Sequence, residues 1–148
     1  GIHTQGYTTG SSDYKGRVHM NPAQANVTAL AFVGDAVFEL YIRSIICADF
    51  SKGGNADIMH KRAIKYVRAE SQARAVKQMM NGFLTEEELG LVKRARNHKT
   101  PNRSRSAGAV EYRLATAFEA LVGFLHASGY EERLRAVMSK AVEIIEEE

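Results

Sequence analysis

Hydrophobic residues recur at the three- and four-residue spacing of a helix along most of the chain beyond residue 20. The first such stretch begins at Asn21-Pro22-Ala23-Gln24, where an N-capping Asn precedes a Pro at the first helical position. The pattern predicts a helix from there to about Cys47, with Gly34 as a point where it loosens or bends. Its periodic apolar positions are Leu30, Val33, Val37, Leu40, Tyr41 and Ile45.

Capping residues and glycines mark three further helices in the middle of the chain. A second helix is predicted after Gly53-Gly54-Asn55, and a third runs from about Ala69 to Met80 before Asn81-Gly82 stops it. The fourth starts at Thr85-Glu86-Glu87-Glu88, which has the form of a capping box. Acids in its first turn and bases near Arg96 in its last turn suit the helix dipole.

The rest of the chain contains a polar loop and two more helices. We expect a basic loop from Asn97 to Gly108. A strongly apolar helix is predicted from Val110 to Ala127, closed by Gly129, and an amphipathic one from Glu131 to about Glu147. No segment alternates as a strand does, so the predicted fold class is all-α.

Length and composition fit one globular domain. The 148 residues, 45% of them hydrophobic, suffice for a core, which we assign to residues 21–148. Residues 1–20 lack any helical or alternating period and are expected to be an expression tag or a disordered arm. The single Cys47 excludes an internal disulfide and cysteine zinc sites, and its apolar neighbours favour a packed, reduced thiol. With no spanning run or signal peptide, we expect a cytoplasmic protein without membrane contact.

Positive charge is concentrated in one segment although the net charge is only +3. Residues 89–110 contain no Asp or Glu, and their bases are Lys93, Arg94, Arg96, Lys99, Arg103 and Arg105. Such a segment either binds a polyanion such as nucleic acid or forms a solvated basic face.

Two carboxylates interrupt predicted core helices. Asp35 lies within a run from Phe32 to Phe38, and Glu119 lies within a run from Thr116 to Leu121. An ionised carboxylate buried without a partner costs several kcal/mol, so each needs an arginine, a metal ion or an opening to water. The alternatives are pairing with Arg43 or Arg113 at a helix edge, or a shared metal site.

Other candidate residues have plainer explanations. Glu39 lies one turn beyond Asp35 and either shares its face or is a polar surface residue. His60 and His98 are surface or loop residues unless they contact RNA phosphates. The sequence lacks a Walker-type phosphate loop, a zinc-binding helix pair and a supported catalytic triad. Aromatic residues recur at helical spacing and are expected in the core or a dimer interface; they are Phe32, Phe38, Tyr41, Phe118 and Phe124.

Three segments resemble a known family. The run from Ala29 to Glu39, with Val33-Gly34-Asp35 at its centre, resembles the signature helix of the ribonuclease III catalytic domain. The run from Thr116 to Gly123 resembles that family's second acidic helix, and the run from Leu91 to Asn97 resembles a segment typical of the Mini-ribonuclease III subgroup. The resemblance covers residues 21 to about 147 and implies a ribonuclease III-like helical bundle that acts as a homodimer.

The resemblance also implies an activity. A metal-dependent endonuclease for double-stranded RNA is expected, with Asp35 and Glu119 as catalytic and metal-binding residues for Mg²⁺, or alternatively Mn²⁺. Hydrolysis leaves a 5′ phosphate, and the implied substrate is the precursor of the 23S (large-subunit) ribosomal RNA. Little sequence follows the last predicted helix, so we expect RNA binding from the catalytic dimer itself. The candidate RNA-binding residues are Lys93, Arg94, Arg96, Asn97, His98, Lys99, Arg103 and Arg105.

Two departures and one alternative accompany this interpretation. Larger ribonuclease III enzymes usually carry two further acids, at positions that correspond here to Ala31 and Thr116. The Mini-ribonuclease III subgroup is similar in this respect, which leaves the number of metal ions open. The alternative function is a catalytically inactive RNA-binding dimer with the same fold. The dimer is expected on the apolar side of the signature helix, formed by Phe32, Val37, Phe38 and Tyr41.

Overall fold

Helices make up the fold of this chain, as the hydrophobic pattern predicts. A computed structural model describes residues 20–51, 53–98 and 106–147. Within these ranges the helices are α1 (Val27–Asp49), α2 (Ala56–Val67), α3 (Ala69–Met79), α4 (Glu86–Arg96), α5 (Ala107–Ala127) and α6 (Glu131–Glu146). The all-α fold class is therefore confirmed. The expected tag or arm lies outside the described residues, apart from Met20.

The start of α1 differs from the prediction. Asn26, rather than Asn21, caps the helix, and its Oδ1 accepts a hydrogen bond from the Ala29 amide at 3.1 Å. Asn21 instead forms a turn in which its Oδ1 accepts from the Ala23 amide at 3.0 Å. Both uses suit the short polar Asn side chain, so the local sequence does not distinguish them. Burial of Ala25 in the core fixes the outcome.

Most other boundaries follow the sequence prediction. Asn55 caps α2, and Thr85 and Glu88 form the expected capping box of α4. Gly82 and Gly129 both have positive φ where helices stop. α5 starts at Ala107 and not at Val110, because the Ser106 hydroxyl accepts from the Ala109 amide and caps it earlier.

The expectation that Cys47 is packed is wrong, because its side chain is exposed. Ile42 and Ile46 are four residues apart on the buried face of α1, and the next residue is rotated by about 100° away from that face. Among the described residues, no helix is long and apolar enough to cross a membrane.

Helix α5 is the centre of the bundle, and it packs against α1, α3, α4 and α6. Leu30, Gly34, Phe38 and Ile42 lie four residues apart along the face of α1 that meets it. The Phe38 and Phe118 rings meet edge to face with centroids 4.9 Å apart. Phe38 is thus a fully buried core residue, so its expected place in a dimer interface is wrong.

Two glycines let α1 and α5 approach closely. A Cβ at Gly34 would lie 2.6 Å from the carbonyl carbon of Glu119 and nearer still to its oxygen. A Cβ at Gly123 would lie 2.8 Å from the carbonyl carbon of Leu30. Gly34 therefore marks a close helix crossing within a continuous helix, and this crossing brings residue 35 next to residue 119.

The peripheral helices are attached to α6 by arginines. Arg133 of α6 donates hydrogen bonds of 2.8 Å to both carboxylate oxygens of Glu88 and to the Phe83 carbonyl. Arg74 of α3 donates to the carbonyls of Ile144 and Ile145 at 3.2 Å each. These contacts fix α3 and α4 around the central helix.

Candidate active site

Asp35 and Glu119 meet at the crossing of α1 and α5. Their carboxyl groups lie within hydrogen-bonding reach of each other, and both line one open pocket with a volume of about 440 Å³. Asp35 is exposed to solvent, whereas Glu119 is partly buried. The two acids that the sequence singled out therefore share one site.

The electrostatics of the site favour one negative charge on the pair rather than two. Burial, followed by the negative charge and hydrogen bond of Asp35, raises the pKa of Glu119 to about 8, against a lowering by a hydrogen bond from Gln72. Two carboxylates in contact resist simultaneous ionisation because their charges repel. A cation bound between the two groups would offset this repulsion and favour the ionised form of Glu119.

The chemistry of these groups fits a divalent cation. Carboxylate oxygens are hard ligands that Mg²⁺ prefers, and the pocket opens to water. In the part of the chain that the structure describes, no cluster of three or more His, Cys, Asp or Glu residues is present. Asp35 and Glu119 would thus supply two ligands, which suits Mg²⁺ because it commonly retains waters and takes phosphate oxygens from a substrate.

Ala31 and Thr116 line the same pocket as the two acids. Ala31 has no polar side-chain group, and the Thr116 hydroxyl donates to the Tyr112 carbonyl of its own helix at 2.9 Å. These small side chains add no charge and leave space beside the carboxylates.

Arg43 and Arg113, the arginines considered as ion-pair partners of the two acids, lie in different surroundings. Arg43 forms a 3.1 Å ion pair with Glu39, one turn away on α1. Glu39 is therefore engaged there, and it does not line the pocket of Asp35 and Glu119. Arg113, by contrast, lines that pocket together with Asp35 and Glu119.

Gln72 is a site residue that sequence analysis missed. It lies on α3 with 2% of its surface exposed, and its side chain hydrogen-bonds to Glu119. Its sequence signal was weak, because a lone Gln is ordinary in a helix. Only its position among Ala69, Ala73 and Val76 on an apolar face hints at burial.

The predicted RNA-binding residues are divided by the structure. Lys93, Asn97 and His98 are exposed near the end of α4, and His98 lines the pocket of the two acids. Lys99, Arg103 and Arg105 lie outside the described residues.

Two arginines of this set make contacts within the fold. Arg94 is half-buried and donates a hydrogen bond to the Pro22 carbonyl, and burial lowers the pKa of its guanidinium. It thereby ties the turn before α1 to α4. Arg96 is also half-buried, and its Nε donates to Asn97 Oδ1 at 3.3 Å.

Comparison with known proteins identifies the family. A model of the Ribonuclease III domain matches residues 28–130. The chain is 43% identical over 118 residues to a Mini-ribonuclease 3 of Thermoanaerobacter sp. (strain X514), covering 80% of this chain and 81% of the relative. It is 41% identical over 128 residues to that of Brevibacillus brevis, covering 86% and 93%. A crystal structure from Fusobacterium nucleatum, 33% identical, superposes with a TM-score of 0.67 and covers 80% of this chain and 92% of that one. The chain therefore belongs to the Mini-ribonuclease 3 family, a group of endoribonucleases built on the ribonuclease III domain.

Proposed function

We propose that this endoribonuclease cleaves double-stranded RNA in a divalent-metal-dependent reaction centred on Asp35 and Glu119. The observation that carries the proposal is the direct contact of these two carboxyl groups in an open pocket. Membership of the ribonuclease III domain family supports the endoribonuclease activity on duplex RNA. The pKa of Glu119 is raised by burial and by Asp35, and a bound cation would offset that repulsion.

Asp35 and Glu119 would hold Mg²⁺, with Mn²⁺ as an alternative, through one carboxylate oxygen or more from each helix. When bound, the metal supplies an acidified water and shields charge that develops on the phosphate oxygens. Glu119 would hold the metal in its ionised form, and the tight helix crossing at Gly34 fixes the separation of the two side chains. Arg113 and His98 line the same pocket, and their side-chain N–H groups suit phosphate oxygens of an RNA backbone.

A homodimer is part of the proposal. Phe32 is 82% exposed and Leu40 is 67% exposed on the outer side of α1. Because Phe32 also lines the pocket of the acids, a symmetric contact through this side would bring two pockets together. A molar mass of one chain by light scattering at micromolar concentration, with full cleavage of duplex RNA, would rule the dimer out.

The proposed substrate is precursor ribosomal RNA of the large subunit, in the cytoplasm. This substrate comes from the resemblance to the Mini-ribonuclease III subgroup. The exposed Lys93 and His98 at the end of α4 support contact with an RNA backbone close to the acids. A-form RNA is bound largely through phosphates and 2′-hydroxyls, which such side chains suit.

The test is cleavage of a long duplex RNA with and without Mg²⁺, with the 5′ ends of the products analysed for phosphate. Asp35→Asn keeps the shape of the side chain and removes its charge, so we expect at least a roughly hundredfold loss of cleavage. Glu39→Gln is the matched control, since this acid lies on the same helix and pairs with Arg43 outside the pocket. Duplex binding without cleavage in either metal would favour the inactive RNA-binding dimer instead.

A further inference from the structure

The Gln72 side chain is a buried polar group whose partner belongs to the site. It is 2% exposed and reaches from α3 to the carboxyl group of Glu119 on α5. A buried amide without a hydrogen bond costs about 1–3 kcal/mol, and Glu119 is the partner that offsets this cost. With a cation bound, Glu119 would be ionised and could only accept, so the Gln72 amide nitrogen would then be the donor.

The backbone around Gln72 is fixed on both sides. Immediately before it, the Ser71 hydroxyl donates to the Lys65 carbonyl at 2.5 Å and accepts from Arg68 Nε at 3.1 Å. Two residues after it, Arg74 donates to two carbonyls at the end of α6. The amide of Gln72 thus reaches Glu119 from a helix that is held to α2 and α6. A donor that is fixed in this way orients the carboxylate it binds.

The choice of an amide at this position suits a site that takes up a cation. A lysine or arginine in its place would neutralise one carboxylate and compete with a metal ion. A glutamate would add a third negative charge beside two that already repel each other. A glutamine stabilises and orients the ionised carboxylate while leaving its charge for a ligand.

We propose that Gln72 is a positioning residue, which donates a hydrogen bond to Glu119 and so holds that carboxylate beside Asp35 in the orientation that binds a divalent cation. This inference rests on the proposed function, because it requires the metal to bind at Asp35 and Glu119. Gln72 does not itself line the pocket, so its effect reaches the metal only through Glu119.

The experiment measures Mn²⁺ binding to the purified, RNA-free protein by calorimetry, with paramagnetic resonance of free Mn²⁺ as a second readout. Gln72→Met keeps the length of the side chain and removes the donor, so we expect Mn²⁺ affinity to fall by about 10–100-fold. Gln72→Lys keeps a donor but adds a positive charge, and we expect it to abolish Mn²⁺ binding without lowering the melting temperature. Val76→Ala, a fully buried position one turn further along α3, is the control: its melting temperature falls and its Mn²⁺ affinity stays unchanged.

The Glu119→Gln variant distinguishes a failure of the role of Gln72 from a failure of the metal site itself. If wild-type protein binds Mn²⁺, Glu119→Gln does not, and Gln72→Met binds as tightly as wild type, the role of Gln72 is refuted and the metal site stands. If wild-type protein and Glu119→Gln bind Mn²⁺ equally or not at all, the metal site of the proposed function fails, and the role of Gln72 fails with it. Should Gln72→Met not fold, Gln72→Lys decides, since wild-type Mn²⁺ affinity in that variant overturns the inference.

Discussion

Adding one methyl group at Gly34 is expected to push apart the two helices that carry the carboxyl groups. The new Cβ of Gly34→Ala would lie 2.6 Å from the Glu119 carbonyl carbon and 2.8 Å from the Gly123 amide nitrogen. The Glu119 carbonyl oxygen is nearer still, and ordinary contacts between carbon atoms are about 3.5–4.0 Å, so the backbones must separate locally by more than about 1 Å. Both neighbours are main-chain atoms of α5, which cannot rotate away as a side chain would.

The magnitude follows from this overlap. Overpacking of a core costs about 1–3 kcal/mol, and the better helix propensity of Ala returns up to about 1 kcal/mol. Because the overlap is with main-chain atoms, the upper end of this cost applies, and we expect a net loss of at least about 2 kcal/mol in the free energy of unfolding. The loss of cleavage should be larger in proportion, because a displacement of about 1 Å between groups that act together can cost about a hundredfold in rate.

Urea unfolding and duplex RNA cleavage, measured on the same preparation, test this reasoning. Gly90→Ala is the control, because a Cβ at that position in α4 meets nothing within 4 Å. It should gain up to about 1 kcal/mol of stability and cleave normally. Gly123→Ala should resemble Gly34→Ala, and the double variant should lose less than the sum because the helices are already separated. Wild-type stability and cleavage in Gly34→Ala would refute the idea that this crossing positions the acids.

Four other variants test the electrostatics and the fold. The folded-state pKa of Glu119, about 8, lies above its usual value of 4.5, so ionisation of this group opposes folding. In EDTA the wild type should therefore lose stability relative to Glu119→Gln as the pH rises from about 5 to 8. Melting temperatures from calorimetry that change in parallel with pH for the two proteins would contradict this. Glu88→Gln should lose about 2–4 kcal/mol in urea unfolding at pH 7, because Glu88 is 5% exposed and pairs with a 31% exposed Arg133. Burial opposes ionisation of Glu88, but hydrogen bonds from Arg133 and Thr85 outweigh it and lower its pKa. The stability difference between wild type and Glu88→Gln should therefore shrink as the pH falls below about 4.5. A difference in unfolding free energy that persists at lower pH would disprove this. Lys93→Ala should reduce the slope of log affinity against log salt concentration for duplex RNA by roughly one unit, at unchanged melting temperature. Arg94→Ala should lower the melting temperature, because it loses its contact with the Pro22 carbonyl. The reverse pattern would exclude Lys93 as a phosphate contact.

Elements with a local physical cause could be predicted from the sequence. The capping box at Thr85 and the glycine stops at Gly82 and Gly129 depend on residues close in sequence, and the structure confirms them. The helix start at Asn21 was wrong because Asn21 and Asn26 have equal local chemistry. Burial of Ala25 distinguishes them, and so does the contact of Arg94 with the turn, which joins residues far apart in the chain.

The candidate site was predictable to the extent that its residues conflict with their surroundings. Asp35 and Glu119 are acids inside apolar helices, which indicates that each needs a partner, although the sequence left the choice of partner open. Gln72 produces no such conflict, since a neutral amide is common on helices. The expectation of a packed Cys47 is wrong because an apolar run is not buried throughout: only every third or fourth residue of it faces the core.

The central position of α5 limits how this enzyme can change its specificity. Ala117, Phe118 and Ala120, which flank Glu119 in sequence, are fully buried in the core, so substitutions there alter packing before they alter chemistry. A laboratory evolution experiment should therefore find few accepted changes beside Glu119. Accepted changes should instead accumulate at exposed residues of the pocket rim, such as Tyr112 and His98, where altered side chains can favour different duplexes at little cost in folding.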